Sequence, residues 1–259
     1  IRDRRIGDRV KILGMDETLK KIAKFGPDIF YKGEIAERIS EDMLANGGLM
    51  SYSDLSSYAT TRTNPLSSKY RNFDIYANHP PGGGVMLLEM LNVLENFNLR
   101  DMTHNSSEYI RIVSETMKKA TLDKEMFVGD PLFIDVPLEK LLSKEYASEV
   151  SDKIKKNERT FINRVTQIEP KNTTHVSVID KEGNCVTMTH SLGMPSGVIT
   201  DGLGFMFNGC MAVFDPRPGR AGSVAPGKSR FSSLAPTIVT KDGNPHIVLG
   251  APGGTQIAM

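Results

Sequence analysis

The sequence is poor in the residues that build disulfide frameworks and metal sites. It has two cysteines in 259 residues, five histidines and no tryptophan. Cys185 and Cys210 could pair once but cannot form a disulfide scaffold. The histidines and cysteines show neither H-E-x-x-H nor C-x-x-C spacing, so the sequence predicts no metal site.

The sequence also lacks an excess of charge of either sign and any long apolar run. It has 32 basic and 31 acidic residues, which makes nucleic acid and anionic membrane poor candidates for a partner. No run of 18 or more apolar residues is present, so no transmembrane helix is expected. A hydrophobic content of 39% is typical of a globular protein and allows a large core in one or two domains.

Both ends of the sequence are unusual. The chain begins at Ile1, without methionine or the shape of a signal peptide. It ends in Gly253–Met259, which resembles the first turn of a helix. We therefore expect a fragment of a longer polypeptide that lacks both ends, and the compartment, cytoplasmic or exported, stays open.

The periodicity of apolar residues changes along the chain. Helical spacing dominates the first two thirds, and alternation with turn residues, which indicates hairpins, dominates from Thr173 onward. The Gly- and Pro-rich stretch between the two hairpins is too irregular to be expected in the core. This order of elements predicts an α+β layered architecture. The predicted helices are 16–24, 35–44, 85–94, 106–127 and 144–156, and the predicted hairpins are 173–188 and 237–249.

The second half of the chain opens on Asn172-Thr173-Thr174, directly before a strand-like alternation. The triplet matches the weak N-x-[ST] glycosylation pattern. Threonine also favours strands, so on the pattern alone a polar strand opening is favoured. A third interpretation is catalytic, because an N-terminal threonine can act as a nucleophile with its own α-amino group as general base. That group has a pKa of about 8, close enough to neutrality to accept a proton.

The same chemistry needs hydrogen-bond donors that face a developing oxyanion. Ala251-Pro252-Gly253-Gly254 is a Gly-rich turn between a predicted strand and a predicted helix, and its backbone N–H groups could supply them. Taken alone, P-G-G indicates only a turn.

An ordered series of segments resembles the γ-glutamyltransferase (γ-glutamyltranspeptidase) family. The segments span nearly the whole chain, and their order is far more specific than any single motif. They are I-F-Y-K-G-E-I-A, H-P-P-G-G-G-V-M-L-L-E-M-L-N-V-L-E-N-F, G-D-P-L-F, T-T-H-V-S-V-I-D-K-E-G-N, S-L-G-M-P-S-G, F-D-P-R-P-G, A-P-G-K, F-S-S-L-A-P-T-I-V and G-A-P-G-G.

The resemblance implies an N-terminal-nucleophile hydrolase with a four-layer αββα sandwich. Such proteins are precursors that cleave themselves, here between Asn172 and Thr173. Residues 1–172 would then be the C-terminal part of a large subunit and residues 173–259 the N-terminal part of a small subunit. Together they would form one αββα domain. The implied mechanism uses no metal and no organic cofactor.

The resemblance also implies roles for individual residues. Thr173 matches the nucleophile, and Ser191 matches a hydroxyl position next to it where threonine is common. Ser232 and Ser233 match the pair that holds the substrate α-carboxylate, although on pattern alone they are a solvated loop pair. Gly253 and Gly254 match the oxyanion-hole glycines. The family's carboxylate-binding arginine lies upstream of this chain, and nothing in the pattern indicates that Arg62 or Arg217 replaces it.

The sequence departs from the family where the substrate α-amino group is held. Asn, Gln and Asp at those places are replaced by Gly193, Cys210 and Val213. None of these can face an ammonium group as a carboxylate does, so γ-glutamyl specificity is in doubt. Phe214–Gly219 instead resembles a side branch that includes cephalosporin-acylase-like members. Asp215 could have taken over the amine, although a turn carboxylate is the simpler interpretation.

Three functional hypotheses follow. The first is an autoprocessing enzyme that cleaves a γ-glutamyl or similar acyl amide, such as glutathione, through acyl-Thr173 and passes the acyl group to water or an amine. The second is a glutaryl- or cephalosporin-acylase-like amidase without γ-glutamyl preference. The third is a non-catalytic binding or structural relative. The expected partners are a small amide, its acceptor and the two subunits of one precursor, and a homo-oligomer is possible.

Overall fold

We describe the fold from a computed structural model, in which residues 5–162 and 173–259 are described. The chain divides into two units. The first contains the described residues up to Arg62 together with Pro195–Asn208. The second contains the described residues of Thr63–Met194 together with Gly209–Met259. The boundaries of these units reflect how the residues pack, and they do not coincide with the predicted subunit boundary after residue 172. That subunit boundary stays a prediction.

The first unit is helical. Its small core consists of Ile35, Ala36, Ile39, Leu55 and Leu203. Leu203 lies in the Gly-rich stretch, and its carbonyl accepts a hydrogen bond from the Thr18 hydroxyl. The expectation that this stretch lies outside the core is therefore wrong at Leu203, because a single apolar side chain in an irregular segment leaves no periodic signal. The helices are α1 (Met15–Phe25), α2 (Asp28–Tyr31), α3 (Glu34–Ala45) and α4 (Tyr52–Ser56).

The second unit contains two antiparallel sheets. The larger has the strand order β1-β2-β5-β6, and β3 and β4 form a separate hairpin. The strands are β1 (Leu66–Tyr70), β2 (Phe73–Ala77), β3 (Thr173–Ile179), β4 (Cys185–Ser191), β5 (Thr237–Lys241) and β6 (Asn244–Leu249). The helices are α5 (Gly84–Leu94), α6 (Ser107–Phe127), α7 (Leu138–Leu141) and α8 (Lys144–Lys155).

Helix α5 lies at the centre of this unit. It is apolar on most of its surface, and Val85, Met86, Leu88 and Val93 are fully buried. It packs on β1 and β2 and also contacts α6, α7 and α8. A helix that is hydrophobic all round is expected to be buried in this way.

Helix α6 begins and ends where the sequence predicts, and the Ser106 side chain caps it by accepting from the Tyr109 N–H. Its buried face, however, is not the predicted one. Helical spacing puts Ile110, Val113 and Met117 on one face, which predicts that Ile110 faces inward, but Ile110 is 50% exposed, whereas Glu115 and Asp123 are buried. Apolar spacing misleads here because ion pairs with Lys118 and Lys119 allow carboxylates on the inner face.

The β3–β4 hairpin has one polar and one apolar face. Its polar face carries cross-strand pairs of hydroxyl and imidazole groups, starting from Thr173 opposite Ser191. Its other face carries the apolar side chains Val176, Val178, Val186 and Met188, which are between 41% and 59% exposed. The helices and antiparallel hairpins confirm the mixed α+β class. Within the described residues, no helix combines the length and the apolar character needed to cross a bilayer.

Candidate active site

The site begins with a hydroxyl pair at the open end of the β3–β4 hairpin. Thr173 opens β3 and is paired in register with Ser191, the last residue of β4. Their Oγ atoms lie 2.9 Å apart, within hydrogen-bond distance. The Gly193 backbone N–H donates to Ser191 Oγ over 2.8 Å. Ser191 can therefore direct its proton to Thr173 Oγ and stabilise negative charge there.

Thr173 and Ser191 line a cavity together with residues from two distant segments. Predicted site residues Ser232, Ser233 and Gly254 are among its walls. The other lining residues are Gly193, Met194, Val213, Arg230, Phe231, Leu234 and Ile257. Gly253 directly precedes Gly254 without lining the cavity, and Asn172 lies outside the described residues. Folding thus brings together five of the predicted residues, whose catalytic and binding roles stay predictions.

The two cavity serines have different surroundings. Ser233 is buried, and its hydroxyl donates to the carbonyl oxygen of Gly254 over 2.5 Å. The Ser232 N–H donates to the carbonyl of Pro81, and its Oγ accepts weakly from the Leu234 N–H. Among the described residues, the hydroxyl proton of Ser232 has no acceptor and can be offered to a ligand, whereas that of Ser233 is used to hold the glycine turn.

The turn at Gly253 and Gly254 has a backbone conformation that favours glycine. Gly254 has φ of 63°, in the left-handed region that L side chains rarely adopt. Among the described residues, neither N–H group donates to another group. A Gly-rich turn that opens a short helix can present its N–H groups to an anion.

The loop between β2 and α5 supports the serines, a role that sequence reasoning missed. The Gly83 N–H and the Asn78 amide both donate to the carbonyl of Leu234. A Cβ at Gly83 would lie 2.5 Å from the Ser233 carbonyl oxygen, so only glycine fits there. The sequence signal is the triple glycine of H-P-P-G-G-G, a segment that contributes to the resemblance but to which the sequence assigns no role in the site.

Asp130 is a second support that sequence reasoning missed. It is buried, and its carboxylate accepts from the Leu132 and Ser229 N–H groups over 3.0 and 2.7 Å. It thereby anchors the backbone just before Arg230. The available signal was G-D-P in the segment G-D-P-L-F, which was used for the resemblance but given no role.

His175 continues the polar ladder away from Thr173. Its Nδ1 and Nε2 lie 2.9 and 2.8 Å from the hydroxyls of Thr189 and Ser177. The ring packs against Gly250, where a Cβ would lie 2.2 Å from the imidazole Cε1. Gly250 leads into the glycine turn, so His175 connects the strand of Thr173 with the segment that carries Gly254.

Comparison with known proteins agrees with this geometry. A family model described as Gamma-glutamyltranspeptidase matches residues 3–259. The chain belongs to the gamma-glutamyltranspeptidase family. The resemblance inferred from the ordered motifs is thereby confirmed.

Curated members of the family show the same relationship. A glutathione hydrolase proenzyme from Escherichia coli (strain K12) is 36% identical over 269 residues, covering 97% of this chain and 46% of that protein. The acylase ACY 1 proenzyme from Pseudomonas sp. (strain V22) is 36% identical over 244 residues, covering 93% of this chain and 44% of that protein. The chain thus spans less than half the length of these relatives.

A solved structure shares the fold over almost the whole chain. The cephalosporin acylase from Bacillus halodurans superposes with a TM-score of 0.85 at 27% identity, covering 99% of this chain and 47% of that one. The mixed α/β fold is therefore that of a gamma-glutamyltranspeptidase-family protein.

Two of the three residues that depart from the family pattern lie in direct proximity. A Cβ at Gly193 would lie 2.6 Å from Cys210 Sγ, and Gly193 has φ of 64°, which favours glycine. Val213 lines the same cavity. The space beside Gly193 is thus filled by the Cys210 sulfur. Cys185 and Cys210 are both free thiols, so the single disulfide that the sequence permitted is not formed.

Asp215 is engaged elsewhere. It accepts from Nε and Nη2 of Arg217 and from the Arg217 backbone N–H. These bonds to a guanidinium lower the pKa of Asp215 to about 2. Neither residue lines the cavity, which favours the interpretation of Asp215 as a turn carboxylate. Within the described residues, no group of three or more His, Cys, Asp or Glu side chains could hold a metal ion.

Proposed function

We propose that the protein cleaves an amide by transferring its acyl group to Thr173. The observation that carries the proposal is the position of Thr173. It heads a strand, lies 2.9 Å from the Ser191 hydroxyl, and lines a cavity with Gly254. A hydroxyl that opens a strand beside a second hydroxyl and a glycine turn suits acyl transfer.

The proposed reaction has two steps. In the first, Thr173 Oγ attacks the amide carbon while the α-amino group of Thr173 takes the hydroxyl proton. The N–H groups of Gly253 and Gly254 stabilise the oxyanion, and Ser191 donates to Thr173 Oγ. The C–N bond then breaks, and the leaving amine receives the proton from the α-ammonium.

The second step releases the acyl group. Water or an acceptor amine attacks the ester carbon and passes its proton to the α-amino group. The bond from carbon to Thr173 Oγ breaks, and Thr173 recovers its proton. The same oxyanion donors serve both steps, and neither step uses a metal or an organic cofactor.

The mechanism requires a free α-amino group on Thr173, so the peptide bond from Asn172 to Thr173 must be cut. We propose that the precursor cuts this bond itself. Residues 1–172 and 173–259 then belong to a large and a small subunit that fold as one unit of function. The curated relatives named above are proenzymes, which supports processing of this kind.

We also propose the four-layer αββα arrangement. Helix α5 packs on the larger sheet with α6, α7 and α8 against it, and the hairpin carries an exposed apolar face at Val176, Val178, Val186 and Met188. In a four-layer sandwich a helical layer would cover that face, as an exposed apolar patch of a sheet normally requires.

The substrate class has two candidates. A γ-glutamyl amide such as glutathione is suggested by the name of the Escherichia coli relative. A different acyl amide is suggested by the names of the acylase relatives, and one without an α-amino group by Cys210, whose sulfur fills the space beside Gly193. The names of the curated relatives support the first candidate, and the filled space beside Gly193 is the observation for the second. A purely non-catalytic role is not favoured, because Thr173, Ser191 and Gly254 line one cavity and the curated relatives are named as hydrolase and acylase proenzymes.

Turnover by the full-length protein tests the proposal. Purified wild type should release the amine from γ-glutamyl or glutaryl anilides, and the Thr173→Ala variant should release none. The Thr174→Ala variant serves as the matched control and should keep most of the activity. If Thr173→Ala hydrolyses these amides at the rate of wild type, the assigned nucleophile is wrong.

A further inference from the structure

We propose that His175 is a positioning residue, which fixes the turn of Gly253 and Gly254 at the distance from Thr173 that acyl transfer needs. The inference rests on the proposed function and deepens it, because it names a side chain that joins the nucleophile to the oxyanion donors. His175 touches no reacting atom in the proposed mechanism. Its effect passes through the backbone of Gly250, which lies three residues before Gly253.

The nucleophile and the glycine turn belong to different sheets. Thr173 opens β3 of the two-stranded hairpin, whereas the turn follows β6, the edge strand of the larger sheet. Within the described residues, no ladder of backbone hydrogen bonds joins β3 or β4 to β6. Side-chain contacts must therefore contribute to the spacing between Thr173 Oγ and the N–H groups of the turn.

The first such contact is that of the His175 ring with Gly250. A Cβ at Gly250 would lie 2.2 Å from Cε1 and 2.3 Å from Nδ1 of the ring. The imidazole thus occupies the space that a side chain at residue 250 would need, and it lies directly against the backbone. Because protein interiors are close-packed, removal of the ring would leave the Gly250 backbone free to shift toward the hairpin.

The ring itself is held on two sides by hydroxyl groups. Its Nδ1 and Nε2 lie 2.9 and 2.8 Å from the hydroxyls of Thr189 and Ser177. A hydroxyl can donate or accept, so both bonds can form whichever ring nitrogen carries the proton. These bonds oppose rotation of the ring about its side-chain torsions. His175 is therefore a rigid spacer between the hairpin and the backbone of Gly250.

A second tether joins the same two segments. The Thr187 hydroxyl donates to the carbonyl of Leu249 over 3.1 Å, and Leu249 directly precedes Gly250. The segment that leads into the turn is thus fixed by a hydrogen bond at residue 249 and by the ring at residue 250. Oxyanion donors are most effective when they are in place before the reaction begins, and these two contacts supply that placement.

Kinetics of the full-length protein test the inference, with γ-glutamyl and glutaryl anilides as probes. His175→Ala should lower kcat roughly 10- to 100-fold and leave KM nearly unchanged, because a donor displaced by about 1 Å weakens the transition state more than the bound substrate. Rates would be divided by the amount of cut, folded protein, so that a loss of folded protein does not lower kcat. Thr187→Val keeps the side-chain shape but removes the bond to Leu249, and it should lower kcat less.

His190→Ala is the matched control. His190 lies in the same hairpin, opposite Thr174, on the face that points away from His175, so its removal should leave kcat unchanged. Hydrogen exchange reports on the turn without any substrate. Peptides that cover residues 250–256 should exchange faster in His175→Ala than in wild type, and at the wild-type rate in His190→Ala.

The inference fails if His175→Ala keeps the wild-type kcat, if its KM rises as much as kcat falls, or if exchange of residues 250–256 is unchanged. It also fails if the variant folds but stays uncut, because the effect would then lie at Thr173 itself. Should His175→Ala not fold, a wild-type kcat in Thr187→Val would overturn the inference.

Exchange also distinguishes the two proposals from each other. If wild type cleaves no amide but the turn exchanges faster only in His175→Ala, the proposed function fails and the placement of the turn by His175 stands. If amides are cleaved equally well by wild type and His175→Ala, the inference fails and the proposed function stands.

Discussion

The Ser233 hydroxyl donates a hydrogen bond to the carbonyl oxygen of Gly254 over 2.5 Å. Ser233 belongs to the loop held by Gly83 and Asn78, and Gly254 belongs to the turn that carries the proposed oxyanion donors. One side-chain bond thus couples the wall of the cavity to the group that stabilises the transition state.

Ser233→Ala should therefore lower kcat more than it raises KM. Without the bond the Gly254 turn can shift, and a displacement of about 1 Å at such a position can cost on the order of 100-fold in rate. Ser232→Ala is the matched comparison, and it should raise KM while kcat changes little, because the Ser232 hydroxyl is available to a ligand. Steady-state kinetics with one anilide would measure both effects. Equal changes in KM for the two variants would contradict this division of roles.

Gly250→Ala should destabilise the protein, because the added methyl group would lie 2.2 Å from the His175 ring. Overpacking of this kind costs about 1–3 kcal/mol. The double variant His175→Ala with Gly250→Ala should recover part of the loss, because the ring is gone. Denaturant unfolding of both single variants and of the double variant would measure the coupling.

Gly222→Ala is the control for the glycine change itself, since the nearest atom to its added Cβ would be 3.6 Å away. If Gly250→Ala loses no more stability than Gly222→Ala, the close contact between residue 250 and the His175 ring is contradicted.

The elements were predictable from the sequence because they are local. Helix α8 ends within one residue of its predicted end, and both hairpins follow from alternating residues around K-E-G-N and K-D-G-N turns. The site residues followed from the order of the motifs, which requires no knowledge of packing.

The supports of the site were not predictable in the same way. Arg230 and Asp130 gain their surroundings only when residues far apart in the chain meet, and the G-D-P segment does not reveal which distant backbone group Asp130 binds. The inner face of α6 was mispredicted at Ile110 because the pattern of apolar residues does not reveal that buried carboxylates have basic partners.

Glu89 should make the stability of the protein fall as the pH rises above about 4.3, the usual pKa of glutamate. Burial first, and then a hydrogen bond and repulsion from Asp123, raise the pKa of Glu89 well above that value, against the opposing effect of Lys119. The unfolded chain then loses the Glu89 proton while the folded chain keeps it. The contribution of Glu89 to the free energy of unfolding is complete at pH values below its pKa in the unfolded chain. It is lost as the pH rises through its pKa in the folded protein.

Glu89→Gln should flatten this dependence, because glutamine cannot ionise. Denaturant unfolding at pH 5 and pH 8 would show that wild type loses stability between the two pH values and that the variant does not. Tyr146 also contacts Asp123, so the variant keeps the remaining hydrogen bonds of the cluster. The exposed Glu139→Gln is the control and should behave as wild type does. A loss between pH 5 and pH 8 that is as large in Glu89→Gln as in wild type would contradict the assignment.

The mass of the polypeptides in the purified full-length protein tests the central claim most directly. Wild type should give two polypeptides, the smaller beginning at Thr173. Thr173→Ala should give one uncut chain, and the neighbouring Thr174→Ala should still be cut. Cleavage between residues 172 and 173 in Thr173→Ala, or an uncut wild type that still hydrolyses amides, would contradict Thr173 as the nucleophile that frees its own amino group.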